Sequence, residues 1–251
     1  MTIWTSSFPK RERIAGYWRL LKARHGFFDR LGFKRTESGR LKLGHVPGYQ
    51  QRLALMRDKQ KGRRCFIFTG DAVSTGIDVA KLRKELTMGA DAIHQHFPVW
   101  GFSTAYWFLA DIEQVEAFRN DIGQVRDPIK LAPLCNAYAF PATRDSLFFH
   151  TAQAVSGKDP APRFSTDFAA VVYPDASPTL MMLQLAYHFG CNPVYLLGGD
   201  KPSAKTTAQT EKSAYALAND VFVRDGRKVY NIGGCDPLDV FEPVHFGDLF
   251  K

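Results

Sequence analysis

The chain has 251 residues, is 45% hydrophobic and 23% charged, and carries a formal net charge of +8. That balance excludes a disordered chain, a collagen-like repeat and a coiled coil as the main state, and the length suits one generous domain or one domain with an appended segment. The charge is uneven: residues 1–64 hold 17 Lys and Arg against 4 Asp and Glu, while the rest is mildly acidic.

The expected organisation is therefore a basic, partly helical extension over residues 1–60 and one domain over residues 61–251. In the extension, residues 14–24 set apolar and aromatic side chains at near-helical spacing among Arg and Lys. Three readings fit: a helix packed on the domain with its basic face solvated, an amphipathic helix on an anionic membrane surface, or a contact to a phosphate backbone. No recognised nucleic-acid motif accompanies the segment, so nucleic acid is not an expected partner.

From residue 64 onward, short apolar runs alternate with amphipathic ones, the pattern of strands feeding helices around a mostly parallel sheet. Residues 65–68 read as a buried strand, 77–86 as a helix, 88–93 and 105–109 as strands, and 112–122 as a helix. Strands are expected again at 129–134 and 146–150, and a loop at 155–168. Residues 178–189 are apolar nearly all round and read as a buried helix ended by Gly190. Residues 193–197 read as a strand, 210–223 as a helix and 228–232 as the last strand.

Cys65, Cys135, Cys191 and Cys235 stand far apart with no C-x-x-C pair, which argues against a zinc ribbon or a disulfide framework and fits a reducing compartment. No run approaches the ~18 apolar residues of a membrane span, and the N-terminal residues lack the apolar core of a signal peptide. The expected location is the cytoplasm, with attachment to the inner face of the membrane through the basic segment.

Ligands of open α/β sheets sit beyond the carboxyl ends of the strands. Four expected strand ends carry an aspartate: Asp71, Asp91, Asp111 and Asp200. Gly70 and the pair Gly198 and Gly199 adjoin two of them, and glycine lets main-chain N–H groups approach a phosphate closely. Such aspartates also commonly cap a helix or close a turn. The sequence around Gly70 is neither G-x-G-x-x-G nor a P-loop, which disfavours ordinary dehydrogenases and P-loop NTPases.

Several ordered segments carry a resemblance: residues 61–68 followed by Gly70 and Ser74, then 86–91, 100–111, 164–168, 183–190, 194–200, 228–231 and 237–241. Together they resemble the 6-hydroxymethylpterin diphosphokinase MptE-like family, related in fold to bacterial CMP-sialic-acid-dependent sialyltransferases. The resemblance implies an α/β, Rossmann-like, mostly parallel sheet flanked by helices, here with a basic N-terminal extension. It implies that Gly70, Asp71 and Ser74 lie against nucleotide phosphates, with Asp91, Asp111, Gly199 and Asp200 around the same ligand. Ser177 and Thr179 would line the site at a helix N-terminus, whose free N–H groups favour an anion.

Two departures stand out. Asp71 and Asp91 occupy positions where the family has Asn, and a carboxylate facing a phosphate repels it unless a cation such as Mg²⁺ intervenes; Asp71, Asp91 and Asp111 are the candidate metal ligands. The sialyltransferase relatives also carry His and Tyr after the strand that ends at the Asp200 position. Here residues 201–209 contain neither, and Lys201 and Lys205 are the candidate stabilisers of a leaving phosphate.

Among the histidines, His94 and His96 follow a strand as His-Gln-His and are candidates for acid/base work or metal binding. His150 is a second candidate base, and His188 reads as a core histidine. The expected function is a nucleotide-dependent transferase, foremost a glycosyltransferase using a nucleotide-activated sugar in cell-surface polysaccharide or glycan assembly. In this scheme His94 or His150 deprotonates a glycan or lipid-linked acceptor. The alternatives are a Mg²⁺-dependent diphosphokinase and a catalytically weakened nucleotide-binding or interaction protein.

Overall fold

A computed structural model describes residues 48–69, 76–140, 145–152, 161–174, 177–198, 207–233 and 238–251, with the backbone of two short strands at 33–35 and 41–43. Those two, β1 (Phe33–Arg35) and β2 (Leu41–Leu43), pair antiparallel, and β1 lies beside a 3₁₀ turn at Leu134–Ala139. A short helix, α1 (Tyr49–Ala54), leads into the main sheet.

The sheet contains β3 (Cys65–Phe68), β4 (Leu86–Ala90), β5 (Tyr106–Phe108), β6 (Ile129–Pro133), β7 (Ser146–Phe149), β8 (Val194–Leu197), β9 (Val229–Ile232) and β10 (Glu242–Pro243). Its order is β10-β9-β8-β3-β4-β5-β6-β7, with every pair parallel. The run β5-β4-β3-β8-β9-β10 follows the doubly-wound order of dinucleotide-binding folds, with β6 and β7 added at one edge. The chain is thus a Rossmann-like α/β protein.

Strand composition follows from burial on both faces. In β3, Cys65 and Ile67 enter one core while Phe66 and Phe68 enter the other, and β8 repeats the division with Val194 and Leu196 against Tyr195 and Leu197. A parallel sheet covered on both sides needs apolar residues at every position, so these strands read as continuous apolar runs.

The helices between the strands are α2 (Phe97–Trp100), α3 (Ile112–Ala117), α4 (Arg119–Gln124), α5 (Pro178–His188) and α6 (Ala208–Arg224). Helices α5 and α6 and the 3₁₀ turn Leu238–Val240 fill the first core; α3, α4, the 3₁₀ turns at Val79–Leu82, Asp91–His96 and Leu134–Ala139 and the C-terminal turn Phe246–Phe250 cover the other face. In α5 only Pro178 and Tyr187 escape full burial, which is why its sequence is apolar on all sides. Gly190 then takes φ 78°, and a Cβ on it would meet the Asp58 carboxylate at 2.8 Å. The chain before β3 runs along this helix end, Asp58 N–H donating to His188 O and Gln60 N–H to Phe189 O. Leu53 of α1 is fully buried in the first core. Residues 48–60 therefore pack against the same core as α5.

Three elements differ from the sequence expectation for local reasons. Residues 77–86 form only a 3₁₀ turn at Val79–Leu82, because Leu86 already pairs with Cys65 in the sheet. The strand expected over 88–93 stops at Ala90, where Asp91 turns left-handed with φ 52°. The helix expected over 112–122 is two helices, broken at Phe118, whose ring meets His94 edge-on at 4.6 Å. No helix among the described residues is long and apolar enough to cross a membrane.

Candidate functional site

After β3 the strands are added outward on one side as far as β7, and the chain then crosses back to place β8 on the other side of β3. The elements that follow β3 and β8, the turn at Val79–Leu82 and helix α6, cover opposite faces of the sheet, which makes this pair of strands the switch point at which open α/β sheets form a ligand crevice. Its floor is built from main chain. Thr69 donates to Leu197 O through both its N–H (2.9 Å) and its hydroxyl (3.0 Å), and Gly198 N–H donates to Ile232 O at 3.0 Å. Gly233, at φ 132°, lies so close that a Cβ on it would stand 3.4 Å from Gly198 main-chain atoms. Both Gly198, at φ 99°, and Gly233 hold backbone conformations that side-chain-bearing residues rarely adopt, which is what glycine supplies where these strands end.

Beside this floor stand the first turns of α5 and α6. Ser177 caps α5, its Oγ accepting from Leu180 N–H at 3.3 Å, and the same Oγ lies 2.6 Å from the Tyr215 hydroxyl of α6. Ser177 and Thr179 are both buried. Thr207 caps α6 by accepting from Thr210 N–H at 3.1 Å. The Ser177–Tyr215 contact thus joins the N-terminus of α5 to the middle of α6, and the N-terminus of a helix is an end that favours an anion.

Gly70, Asp71, Ser74, Gly199, Asp200, Lys201 and Lys205 lie outside the described residues. In the chain they belong to the segments that follow Thr69 and Gly198. Asp91 stands directly after β4, next to β3, and Asp111 beyond β5 at the start of α3. The left-handed backbone at Asp91 is a conformation that Asp and Asn tolerate better than other side chains. Its carbonyl accepts from Trp107 Nε1 at 2.8 Å. Carboxylates are the oxygen donors that Mg²⁺ takes, but among the described residues no three metal-ligating side chains gather. The metal reading thus depends on Asp71.

The histidines separate. His94 is buried between Trp107 (centroids 4.4 Å) and Phe118, with Nε2 3.1 Å from Asp121 Oδ2 and Nδ1 3.3 Å from Asp91 O. Both ring nitrogens are engaged, an arrangement that ties β4 to α4. His96 instead stacks on Trp100 at 5.6 Å. His150 follows β7, four strands from β3, a lateral distance of about 19 Å at ~4.8 Å per strand. His188 is a core residue: its Nε2 lies 2.9 Å from Leu53 O, and burial first of all lowers its pKa from the ordinary 6.5.

Sequence reasoning did not find Asp121 or Tyr215, the partners of His94 and Ser177. Each lies on a separate element, and no local pattern announces such a pairing. No protein-family model matches the chain, and no curated protein matches it.

Proposed function

We propose that this protein is a nucleotide-dependent transferase, with a nucleotide-activated sugar as donor, acting in cell-surface polysaccharide or glycan assembly. The observation that carries the nucleotide part is the reversal of strand order between β3 and β8, with Thr69, Gly198 and Gly233 at the crevice and Gly70 and Gly199 next along the chain. The sugar-transfer part is supported by the sequence resemblance. In this reading the donor phosphates lie against residues 70–74, Asp200 and Gly199 adjoin them, and Lys201 or Lys205 offsets charge on the departing nucleotide. With both ring nitrogens of the buried His94 engaged, His150 is the candidate left to take the acceptor proton, and the basic N-terminal segment holds the enzyme near a lipid-linked or acidic acceptor.

Diphosphoryl transfer from ATP is the second reading. It is favoured by the placement of Asp91 and Asp111 beyond adjacent parallel strands, β4 and β5. Thermal unfolding with CMP, UDP, GDP or ATP, each with and without Mg²⁺, separates the two, because a ligand that binds only the native state raises the unfolding temperature. A shift with CMP or a nucleoside diphosphate favours glycosyl transfer, and a shift only with ATP and Mg²⁺ favours the kinase. Absence of every shift rejects both and leaves an interaction protein. Gly70→Val should remove any shift while the fold is retained; an unchanged shift would move the site elsewhere.

A further inference from the structure

The amino end of the sheet, opposite the crevice, is basic on an otherwise mildly acidic domain. Segments 58–64, 81–85 and 224–228, which lead into β3, β4 and β9, hold ten Lys and Arg against three acids. All three acids are engaged: Glu85 by Arg64 at 2.5 Å, Asp225 by Arg227 at 2.6 Å, and Asp58 at 4.0 Å from the same Arg227 guanidinium. The exposed Lys59, Lys61, Arg63, Lys84 and Lys228 have no acidic partner among the described residues. Hydrogen bonds set three of these cations in a row. Arg63 Nη2 donates to Lys84 O at 3.3 Å, Asn192 N–H donates to Arg63 O at 3.0 Å, and Lys228 N–H donates to Asn192 Oδ1 at 3.0 Å. The row crosses the adjacent strands β4, β3, β8 and β9, so Lys84 and Lys228 stand about 14 Å apart at ~4.8 Å per strand. Like charges held side by side repel, and an anionic partner lying against them relieves the repulsion. Of the three large apolar side chains that are exposed among the described residues, two flank the row: Leu55 (71% exposed), just ahead of the turn that carries Lys59 and Lys61, and Val223 (59% exposed), at the end of α6. Neither is aromatic, and stacking rings are what a single-stranded nucleic acid needs. Lysines around scattered aliphatic side chains instead suit anionic headgroups over a hydrocarbon boundary.

We infer that this amino-end face meets an anionic membrane, with Lys84, Arg63 and Lys228 against phosphatidylserine headgroups and Leu55 and Val223 at the acyl boundary. This extends the membrane part of the proposed function and rests on it, not on the nucleotide part. Attachment to a membrane is stable when two weak signals combine, so the face and the basic N-terminal segment act together, and the face fixes the orientation. The crevice then points away from the lipid, at least the length of the four-residue β3 from it, about 13 Å at ~3.3 Å per residue. A nucleotide enters such a crevice from solution, and a lipid-linked acceptor reaches it only through a glycan that projects from the surface.

Co-sedimentation of the full chain with phosphatidylcholine vesicles, with and without phosphatidylserine, tests this. The parent should pellet only where phosphatidylserine is present, and less as salt rises. Arg63→Gln, Lys84→Gln and Lys228→Gln should each weaken partition about fivefold, and the triple variant roughly a hundredfold, the effect of one and of three cations near the surface. Lys212→Gln, near the start of α6 at the other end of the sheet, should change partition less than about twofold, being more than a Debye length away. Should Arg63→Gln disturb its turn, Lys84→Gln combined with Lys228→Gln keeps every hydrogen bond of the row and carries the test. A triple variant that pellets like the parent, or a loss in Lys212→Gln equal to that in Arg63→Gln, overturns the face and leaves the N-terminal segment as the membrane contact. Tighter binding of a single-stranded oligonucleotide than of the vesicles gives the row to nucleic acid and overturns the face as well. A parent that pellets with no vesicle overturns the membrane reading, and the face with it.

Discussion

Gln184 shows how one buried side chain organises a stretch of chain with no regular structure. Its Oε1 accepts from Ser165 N–H and Tyr173 N–H, each at 3.0 Å, while Nε2 donates to Tyr173 O and Leu180 O. A leucine of similar size would strand two main-chain donors away from water, each at about 1–3 kcal/mol. Gln184→Leu should therefore lose about 2–5 kcal/mol in urea unfolding. His94→Ala, which empties the space between Trp107 and Phe118 and strips Asp121 of its partner, should lose about 2–4 kcal/mol by the same measurement. His188 makes a pH prediction. Burial lowers its folded value below 6.5, so the unfolded chain takes up the proton first as pH falls. Its contribution to stability is complete above pH 6.5 and is lost as pH falls through the lower folded value. Unfolding midpoints at pH 8 and pH 5 should differ more for the parent than for His188→Gln, and an equal difference would remove His188 from the acid response.

At the scale of elements, the C-terminal turn Phe246–Phe250 closes one face of the sheet. Phe66, Tyr195 and Tyr230 form a stacked row across β3, β8 and β9, and Phe250 lies over Phe66 at 6.1 Å. Arg64 joins the layers: it holds Glu85 through two bonds, donates to Leu249 O and places its guanidinium 4.9 Å from the centre of the Phe250 ring. Removing residues 246–251 should uncover this row and lower the melting temperature by roughly 5–10 °C, the effect of about 2–3 kcal/mol of lost apolar burial in a chain of this size. An unchanged melting temperature would mean that the turn is only a cover. Elements of this kind mark the limit of sequence reading. The strands β3 and β8 and the helix α5 were legible because burial on both faces, or on all sides, leaves an unbroken apolar run, and α6 because its apolar residues recur at helical spacing among polar ones. The C-terminal turn and α1 were not, since each is short and is held by partners far along the chain. At the candidate site, the ends of β4 and β5 were marked in the sequence by Asp91 and Asp111. The contact of Ser177 with Tyr215 was not, because α5 and α6 meet only once the core has formed.

Across the whole molecule, the basic excess of residues 1–64 and the mildly acidic remainder predict a division of labour. Attraction to an anionic membrane is worth about 1 kcal/mol per basic residue near the surface and decays within a Debye length of about 10 Å at 0.1 M salt. Removing residues 1–24 should abolish salt-sensitive co-sedimentation with phosphatidylserine vesicles and leave nucleotide binding intact, because α1 and the chain from residue 48 that supports α5 remain. A parent that never pellets with vesicles would return the segment to a packing role.

The strand order also sets a timetable for synthesis. β3 is central, yet one of its neighbours, β8, is made long after the other, and Cys65 cannot pair with Val194 until most of the chain has left the ribosome. Until then β3 through β7 form a growing sheet whose inner edge is apolar and unpaired, the kind of edge that recruits other chains. Chains stalled before residue 194 should accordingly be aggregation-prone and depend on chaperones, whereas completed chains bury that edge in the middle of the sheet.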